Sequence, residues 1–152
     1  MSNSDSPVVG ALRQVVADSY ALMGQTHLCH WNVRGPEFFA LHTAFEEQYT
    51  ELFTAVDEIA ERVRALGALA PGGLGNLAKA SSISELAEDS NAVDMVAHLA
   101  KANELVVASL SKARDLAGDA GDAGDSESED LCIARIQVHQ KTIWMLKSFL
   151  GH

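Results

Sequence analysis

The stretch that decides the fold reads THLCHWNVRGPEFF and covers residues 26–39, because one helix must end and another begin inside it. Gly35 suits the position just beyond a helix, where the backbone turns left-handed, and Pro36 suits the first turn of the next helix. Upstream, apolar residues recur at intervals of three and four, which predicts a helix from just after Pro7 to about Val33. The break therefore predicts two consecutive helices joined by a short turn.

Downstream of the break, the same spacing of apolar residues predicts a second long helix that reaches about Leu66. Residues 67–76 contain four glycines and a proline, which predicts a loop. Ser82 and Glu85 have the spacing of a capping box, which predicts a short helix that opens at Ser82.

Two further long helices complete the predicted architecture. Asn91 is the expected N-cap of a third helix that reaches about Leu116, and residues 126–129 have the pattern that caps a last helix. Four long helices, with a short extra helix in the crossover between the second and third, predict an all-α, ferritin-like four-helix bundle. We expect a single domain over residues 1–152, with a short flexible N-terminus at residues 1–6.

Acidic residues outnumber basic ones in this chain. It has 21 Asp and Glu against 11 Lys and Arg, which gives a formal net charge of −10. Such a charge repels DNA and anionic membranes, because Lys and Arg supply most of a protein's affinity for phosphate. The composition argues against a simple nucleic-acid-binding module and favours cation binding.

The sequence also carries a prediction about location. Its first residues, Met1–Pro7, have neither the basic nor the apolar region of a secretory signal, and no apolar run approaches the roughly 18 to 20 residues that span a bilayer. Cys29 and Cys132 lack a zinc-type spacing. We expect a cytoplasmic protein with two reduced thiols and no membrane segment.

Candidate metal ligands lie on one stripe of the second helix. His42 and Glu46 are four residues apart, as are Asp57 and Glu61. Side chains at this spacing share a helix face, and the eleven-residue step from Glu46 to Asp57 returns to nearly the same face. His30 adds a further candidate at the end of the preceding helix.

One metal ion cannot bind both pairs within a single subunit. Glu46 and Asp57 are separated by about 16 Å at roughly 1.5 Å per residue, whereas metal–ligand distances are about 2 Å. Antiparallel pairing of two copies of the helix, about a two-fold axis near residue 52, removes the difficulty. His42 and Glu46 of one subunit then face Asp57 and Glu61 of the other, and the symmetry produces the site twice per dimer.

The chemistry of this ligand set suits a transition metal. Two imidazoles and three carboxylates fit iron, manganese or zinc, and a carboxylate-rich site with open positions fits redox-active iron in particular. Each acid taken singly is more often a solvated surface residue, and a lone histidine such as His42 is more often an ordinary polar side chain. Because both pairs lie on the same face of the helix and His30 is nearby, the pattern favours a metal site.

Residues 26–39, together with Leu41-His42 and Asp57–Arg62, closely resemble the Dps family, the miniferritins or DNA-binding proteins from starved cells. The resemblance continues at His139–Lys147 and covers nearly the whole chain. It implies a hollow dodecamer with tetrahedral symmetry, built from ferritin-like bundles. The Glu-x-x-His pattern of ferritin sites inside the bundle is absent, because no histidine has Glu three residues before it.

Matched onto this sequence, the resemblance implies a ferroxidase centre for two irons at each dimer two-fold. His30, His42 and Glu46 would come from one subunit, and Asp57 and Glu61 from its partner. The family often has Asp where this chain has Glu46. The implied reaction oxidises Fe(II), preferably with hydrogen peroxide, and deposits ferric mineral in the cavity, which protects the cell from oxidative damage.

Two residues beside this centre have less certain roles. Trp31 follows His30 and is interpreted either as an accessory catalytic residue, an electron donor that traps stray oxidant, or as a packed aromatic at an interface. His27 fits a hydrogen-bond partner of the ligands better than a ligand.

Residues 115–130 contain seven acidic residues and no basic one. A charge run of this kind is usually a solvated loop. In the family this region surrounds the three-fold pores, where carboxylates draw cations inward. The resemblance therefore implies these pore candidates: Asp122, Asp125, Glu129 and Asp130.

The alternative function is that of a nucleoid-associated protein that binds and compacts DNA and has little ferroxidase activity. Family members that bind DNA strongly often have mobile tails rich in Lys or Arg. Residues 1–12 contain neither, and the first basic residue is Arg13. Direct DNA binding is therefore not expected.

Overall fold

The structure, a computed structural model, describes residues 6–119 and 124–152. All the regular secondary structure in this part of the chain is helical, and it contains no strand. Its helices are α1 (Pro7–Asn32), α2 (Phe38–Ala65), α3 (Leu74–Ala80), α4 (Ala92–Gly118) and α5 (Ser126–Phe149). The predicted all-α bundle with a short helix in the crossover is confirmed. The predicted flexible N-terminus lies outside the described residues except for Ser6.

Contacts between helices fix their relative directions. Helix α1 packs against α2 and α4, and α4 packs against α5. His30 at the end of α1 contacts His42 near the start of α2, so these two helices are antiparallel. Asp18 of α1 contacts Ser109 late in α4, while Thr26 and Asn103 line one cavity, so α1 is also antiparallel to α4. Helices α2 and α4 therefore run in the same direction, which requires a crossover along the bundle.

Apolar side chains from the four long helices form one continuous core. Burying each large side chain contributes roughly 1.5–3 kcal/mol of hydrophobic stabilisation. None of the helices described here combines the length and the apolar character that crossing a bilayer requires. The largest fully buried side chains include Leu12, Leu22, Phe45, Ile59, Met95, Leu99 and Leu110.

The break between α1 and α2 lies where the sequence predicts it. Helix α1 ends at Asn32, and Val33 takes an extended conformation. Gly35 has a φ of +113°, which L-residues with a Cβ rarely adopt. Its carbonyl accepts a hydrogen bond from the Phe38 amide at 3.1 Å, and α2 begins there.

The position of the short helix in the crossover was predicted incorrectly. Helix α3 begins at Leu74, inside the predicted loop, whereas residues 81–87 form no helix. The Ser82 backbone N–H and hydroxyl both donate to Asp18, at 2.7 and 3.0 Å, so the hydroxyl does not cap a helix. Leu77 is buried against the core and holds α3 in place.

Asp18 is a fully buried carboxylate that ties the crossover to the bundle. Besides Ser82, it accepts hydrogen bonds from Ser81, from Gln14 and, at 2.6 Å, from Ser109 of α4. Hydrogen bonds to a charged group are worth more than neutral ones, and a buried carboxylate needs them. The path of the crossover therefore depends on this side chain.

The predicted N-cap of α4 is confirmed, whereas the N-cap of α5 lies one residue before the predicted position. Asn91 caps α4 as expected, because its side chain accepts from the Asp94 amide at 2.8 Å. The cap of α5 is Asp125, one residue before the predicted segment, and it accepts from the Ser128 amide at 3.1 Å. Arg62 of α2 donates to the Asp125 carboxylate at 2.8 Å, which gives this carboxylate a second partner.

A polar network crosses the core between α4 and α5. Arg135 is 5% exposed and His139 is 2% exposed. Arginine only donates, so the His139 Nε2 accepts from the Arg135 Nη2 at 2.9 Å, and the Nδ1 must carry the proton that is donated to the Asn103 Oδ1 at 2.8 Å. Burial, and then the charge of Arg135, lower the pKa of His139 to about 3.

The neutral state of His139 predicts a pH-dependent stability. Between about pH 7 and about pH 4 the unfolded chain binds a proton at this residue and the folded chain does not, so stability is lost as the pH falls. Replacing His139→Gln removes the effect. We expect the difference in unfolding free energy between the two proteins to change by on the order of 3 kcal/mol per chain over this range.

Guanidinium-induced unfolding at several pH values tests this prediction. His152→Gln is the control, because His152 is exposed and should leave the pH profile unchanged. Parallel profiles for the wild type and His139→Gln would contradict the assignment of a neutral buried imidazole.

Candidate metal site

Two histidines hold each other across the break between α1 and α2. The His30 Nδ1 is 2.7 Å from the His42 carbonyl oxygen, and the His42 Nδ1 is 2.7 Å from the His30 carbonyl oxygen. The two rings are stacked, with centroids 3.7 Å apart and planes 13° apart. His30 lies in the last turn of α1, where carbonyls lack a partner within the helix, so His42 satisfies one of them.

This reciprocal bonding selects one tautomer for both rings. A carbonyl oxygen only accepts a hydrogen bond, so each Nδ1 carries the hydrogen, and each neutral ring has its lone pair on Nε2. A metal-bound histidine typically has this arrangement, with one ring nitrogen held by a carbonyl or carboxylate and the other free to bind. His30 and His42 therefore have the orientation and the tautomer that metal-bound histidines typically have.

Glu46 lies one helical turn beyond His42 and is exposed. The Tyr49 hydroxyl donates to the Glu46 Oε1 at 3.3 Å. The Tyr49 ring packs against the His27 ring, with the two centroids 4.2 Å apart. It also meets the His30 ring edge to face, with those centroids 5.1 Å apart. Tyr49 thus links the carboxylate of α2 to the histidines at the end of α1, a role that no sequence pattern indicated.

Asp57 and Glu61 form the second group, further along α2. A hydrogen bond with Asp57 and the negative charge of Asp57 raise the pKa of Glu61. Two ionised carboxylates this close repel each other. A bound cation would relieve that repulsion, so the pair is suited to binding one.

The described part of the chain does not by itself complete a metal site. Across residues 6–119 and 124–152, no three His, Cys, Asp or Glu side chains lie close enough together to hold a metal ion. The structure joins His30 to His42 and Asp57 to Glu61, but it joins neither pair to the other and does not complete a cluster with Glu46. The ligand set predicted from the sequence therefore remains divided within one subunit.

Exposed aromatic side chains surround these groups. Trp31 is 68% exposed and stacks on His27, with centroids 5.0 Å apart and planes 4° apart. Burial and the neighbouring His30 lower the pKa of His27. On α2, Phe39 is 82% exposed and Phe53 is 70% exposed. Large apolar side chains exposed together are typical of a surface that another protein covers.

The pore candidates divide into three cases. Asp125 is engaged within the chain as the cap of α5 and as the partner of Arg62, and although burial opposes it, hydrogen bonds from Ser128 and Arg62 lower its pKa. Asp130 is exposed on the first turns of α5, and Glu129 is partly buried. Asp122 lies outside the described residues.

The chain resembles known proteins over nearly its whole length. A family model for the ferritin-like domain matches residues 9–152. The DNA protection during starvation protein 2 of Bacillus anthracis is 38% identical over 144 residues, which cover 95% of this chain and 97% of that protein.

Solved structures show the same similarity. The crystal structure of a Dps protein from Bacillus brevis has 36% identity and a TM-score of 0.89, and the match covers 94% of each chain. The Dps protein from Vibrio cholerae O1, described as a member of a broad superfamily of ferritin-like diiron-carboxylate proteins, has 30% identity and a TM-score of 0.88. That match covers 94% of this chain and 88% of the other.

The position of Phe53 beside the expected two-fold axis generates a prediction about self-association. Phe53→Glu places a charge from each subunit near the axis, where the like charges repel and lose solvation, so we expect the dimer to dissociate. Sedimentation velocity should detect smaller species than those of the wild type. Phe53→Leu, which keeps an apolar side chain, is the control and should assemble normally. Unchanged assembly of the Phe53→Glu protein would place the two-fold axis elsewhere.

Proposed function

Because the chain belongs to the Dps family of ferritin-like proteins, we propose that it is a ferroxidase that oxidises Fe(II), preferably with hydrogen peroxide, and stores the ferric product as mineral inside a hollow shell. Membership of a ferritin-like diiron-carboxylate family supports iron binding and iron storage in general. In this proposal the shell is a dodecamer, and removal of Fe(II) and peroxide protects the cell from oxidative damage.

The observation that carries the proposal is the reciprocal hydrogen bonding of His30 and His42. Each Nδ1 is committed to a backbone carbonyl at 2.7 Å, which leaves each Nε2 free. No other histidine pair among the described residues is held in this way. Keeping these two rings in one tautomer has a clear use if both bind a metal ion.

The site is completed, in this proposal, by a second subunit. Antiparallel pairing of α2 about a two-fold axis near residue 52 brings Asp57 and Glu61 of one subunit to His30 and His42 of the other. Glu46 joins the histidine side. The exposed aromatic side chains around the ligands support a covered surface here, and the symmetry creates the site twice per dimer. Each site takes two irons as substrate.

The residues of the site have distinct parts in the reaction. The histidines bind Fe(II) as neutral rings through Nε2. Carboxylates stabilise Fe(III), because hard anionic oxygens favour the higher charge. Two Fe(II) ions and two protons convert one hydrogen peroxide to two water molecules. This two-electron reduction avoids the one-electron step that releases hydroxyl radical. Trp31, exposed beside His30, is placed to donate an electron to stray oxidant.

Two features support further parts of the proposal. Cys29 and Cys132 are both buried free thiols, as expected in a reducing cytoplasm, where we propose that the protein acts. Asp130 and Glu129 remain proposed pore residues at the start of α5, with Asp122 also a candidate. Asp125 is a weaker one, since Arg62 and Ser128 already occupy its carboxylate.

Subunit mixing provides a sharp test of the shared site. We expect His42→Ala and Asp57→Ala each to slow peroxide-dependent Fe(II) oxidation by roughly tenfold or more, because each removes a ligand from both sites of the dimer. When the two variants are co-assembled, a mixed dimer has one site with both defects and one intact site. Random pairing should restore about a quarter of the wild-type rate, by the symmetry of the pairing.

Absorbance of the ferric product, after stoichiometric Fe(II) and peroxide are added to the metal-free protein, measures this rate. Glu58→Ala is the matched control, since Glu58 is an exposed acid beside Asp57 and outside the proposed ligand set. If the single variants are as fast as the wild type, the ligand assignment is wrong. If they are slow but do not complement each other, the site lies within one subunit.

Direct DNA binding is the alternative function, and relatives named for DNA protection make it worth testing. We propose that this protein does not bind DNA directly, because its formal net charge is −10 and residues 1–12 contain no Lys or Arg. An electrophoretic assay at low salt, with the assembled protein in excess, should show no shift of duplex DNA. A clear shift that salt abolishes would establish the alternative.

A further inference from the structure

The buried Arg135 side chain is bonded on two sides by groups that ordinarily bind metal ions. Its Nη1 pairs with the Glu51 carboxylate of α2, and its Nη2 donates to the His139 Nε2 at 2.9 Å. A carboxylate oxygen and a neutral imidazole nitrogen are common ligands of Fe(II), Co(II) and Zn(II). Two helices therefore present a metal-type ligand pair to one point in the bundle, and a guanidinium occupies it.

The imidazole is oriented as it would be around a metal ion. The His139 Nδ1 donates to the Asn103 Oδ1 at 2.8 Å, and the Asn103 amide nitrogen donates to the Leu99 carbonyl at 2.8 Å. This chain fixes both the amide and the ring, and it directs the Nε2 lone pair at Arg135. Metal-bound histidines are held by the same kind of outer hydrogen bond.

Space for the remaining ligands of a metal ion adjoins this pair. A cavity of about 340 Å³ lies between α1, α2, α4 and α5, and its polar lining includes Glu47, Glu51, Asn103, His139 and Lys141. Water molecules could occupy such a polar cavity and complete a coordination shell. Glu47 lies one helical turn before Glu51 and lines the same cavity, but the described residues bring no third ligand close enough to Glu51 and His139, so water would supply the remaining positions.

The guanidinium itself is incompletely satisfied. The Arg135 Nε is buried and has no hydrogen-bond partner within the described part of the chain. An unpaired buried donor costs about 1–3 kcal/mol, and a packed apolar side chain would avoid that cost. The presence of arginine here therefore calls for a reason other than stability.

We propose that Arg135 is a built-in cation that fills a metal-type site formed by Glu51 and His139, and thereby excludes metal ions from the core of the bundle. The guanidinium stays charged at all accessible pH values, so the exclusion is permanent. This inference extends the proposed function, because it makes Arg135 a specificity residue that confines iron to the surface of α2. Its test does not depend on that function.

The test uses a background from which the surface site is removed, His42→Ala with Asp57→Ala. Cobalt(II) is the probe, followed by its visible absorption and by calorimetric titration of the assembled protein. Adding Arg135→Ala should create one extra Co(II) site per chain, with affinity at least about tenfold above the background, since two oriented ligands and a polar cavity become available. Adding His139→Ala as well should abolish that site.

Arg114→Ala is the matched control. Arg114 also pairs with a carboxylate, Asp115, at 3.0 Å, but this pair lies on the surface and has no histidine in contact. Its removal should create no new Co(II) site. An Arg135→Ala protein that is folded by circular dichroism and binds no extra Co(II) would overturn the inference, as would extra binding that survives His139→Ala.

A second variant keeps the test decisive if Arg135→Ala does not fold. Arg135→Gln removes the charge but keeps a donor for His139, and the same titration applies to it. If neither variant folds without metal, Co(II) should restore folding to the Arg135 variants and fail to do so when His139→Ala is added. Absence of such rescue overturns the proposal. A negative result leaves the ferroxidase proposal intact, because the background already lacks the surface site.

Discussion

The exchange of hydrogen bonds between His30 and His42 is the interaction on which the candidate site depends. It joins the last turn of α1 to the first turns of α2, and it uses a backbone carbonyl that the end of a helix leaves free. The same two bonds therefore close the corner between the helices and set the tautomer of both rings. A structural requirement and a chemical one are met by the same atoms, and Tyr49 extends the arrangement to Glu46.

Several polar clusters in this fold lie where they fix the path of the backbone between helices. Asp18 holds the crossover against α1 and α4 by accepting hydrogen bonds from Ser82 and Ser109. Arg62 holds the end of α2 against the start of α5 by its ion pair with Asp125. The core between these points is mainly apolar, with a polar network around Arg135 and His139 and with Ser19, Gln25 and Thr26 of α1 also buried. Each polar cluster joins segments distant in sequence, and each constrains the path of the backbone more than it adds to the net free energy of folding.

The long helices and the break between them could be predicted from local patterns alone. Apolar spacing marked α1 and α2, and Asn91 marked the start of α4 because an N-cap is a local interaction. The short helix could not be placed, since the Ser82 hydroxyl that fits a cap locally is bound to Asp18, which is 64 residues away. Likewise, Arg62 is a partner of the α5 cap that no local pattern reveals.

The candidate site was predictable to the same extent. Spacing on α2 placed Asp57 and Glu61 on one face, where their side chains meet, but it did not indicate that the His30 and His42 rings stack on each other. No role was predicted for His139, although the four-residue step from Arg135 was a signal that the two side chains could meet. Its contact with Asn103 depends on packing between helices. The joining of the two ligand groups depends on a second subunit, which a sequence pattern can only suggest.

The continuity of α2 has a consequence for how this protein can vary. The pairs His42/Glu46 and Asp57/Glu61 lie on one unbroken helix, Phe38–Ala65, so the distance and the angle between the two pairs are fixed. An insertion or deletion of a single residue between Glu46 and Asp57 would rotate one group by about 100° relative to the other. Under two-fold pairing, both sites of the dimer would be lost at once. The segment between Glu46 and Asp57 therefore cannot tolerate insertions or deletions. The crossover can tolerate them, because it is anchored at only a few points.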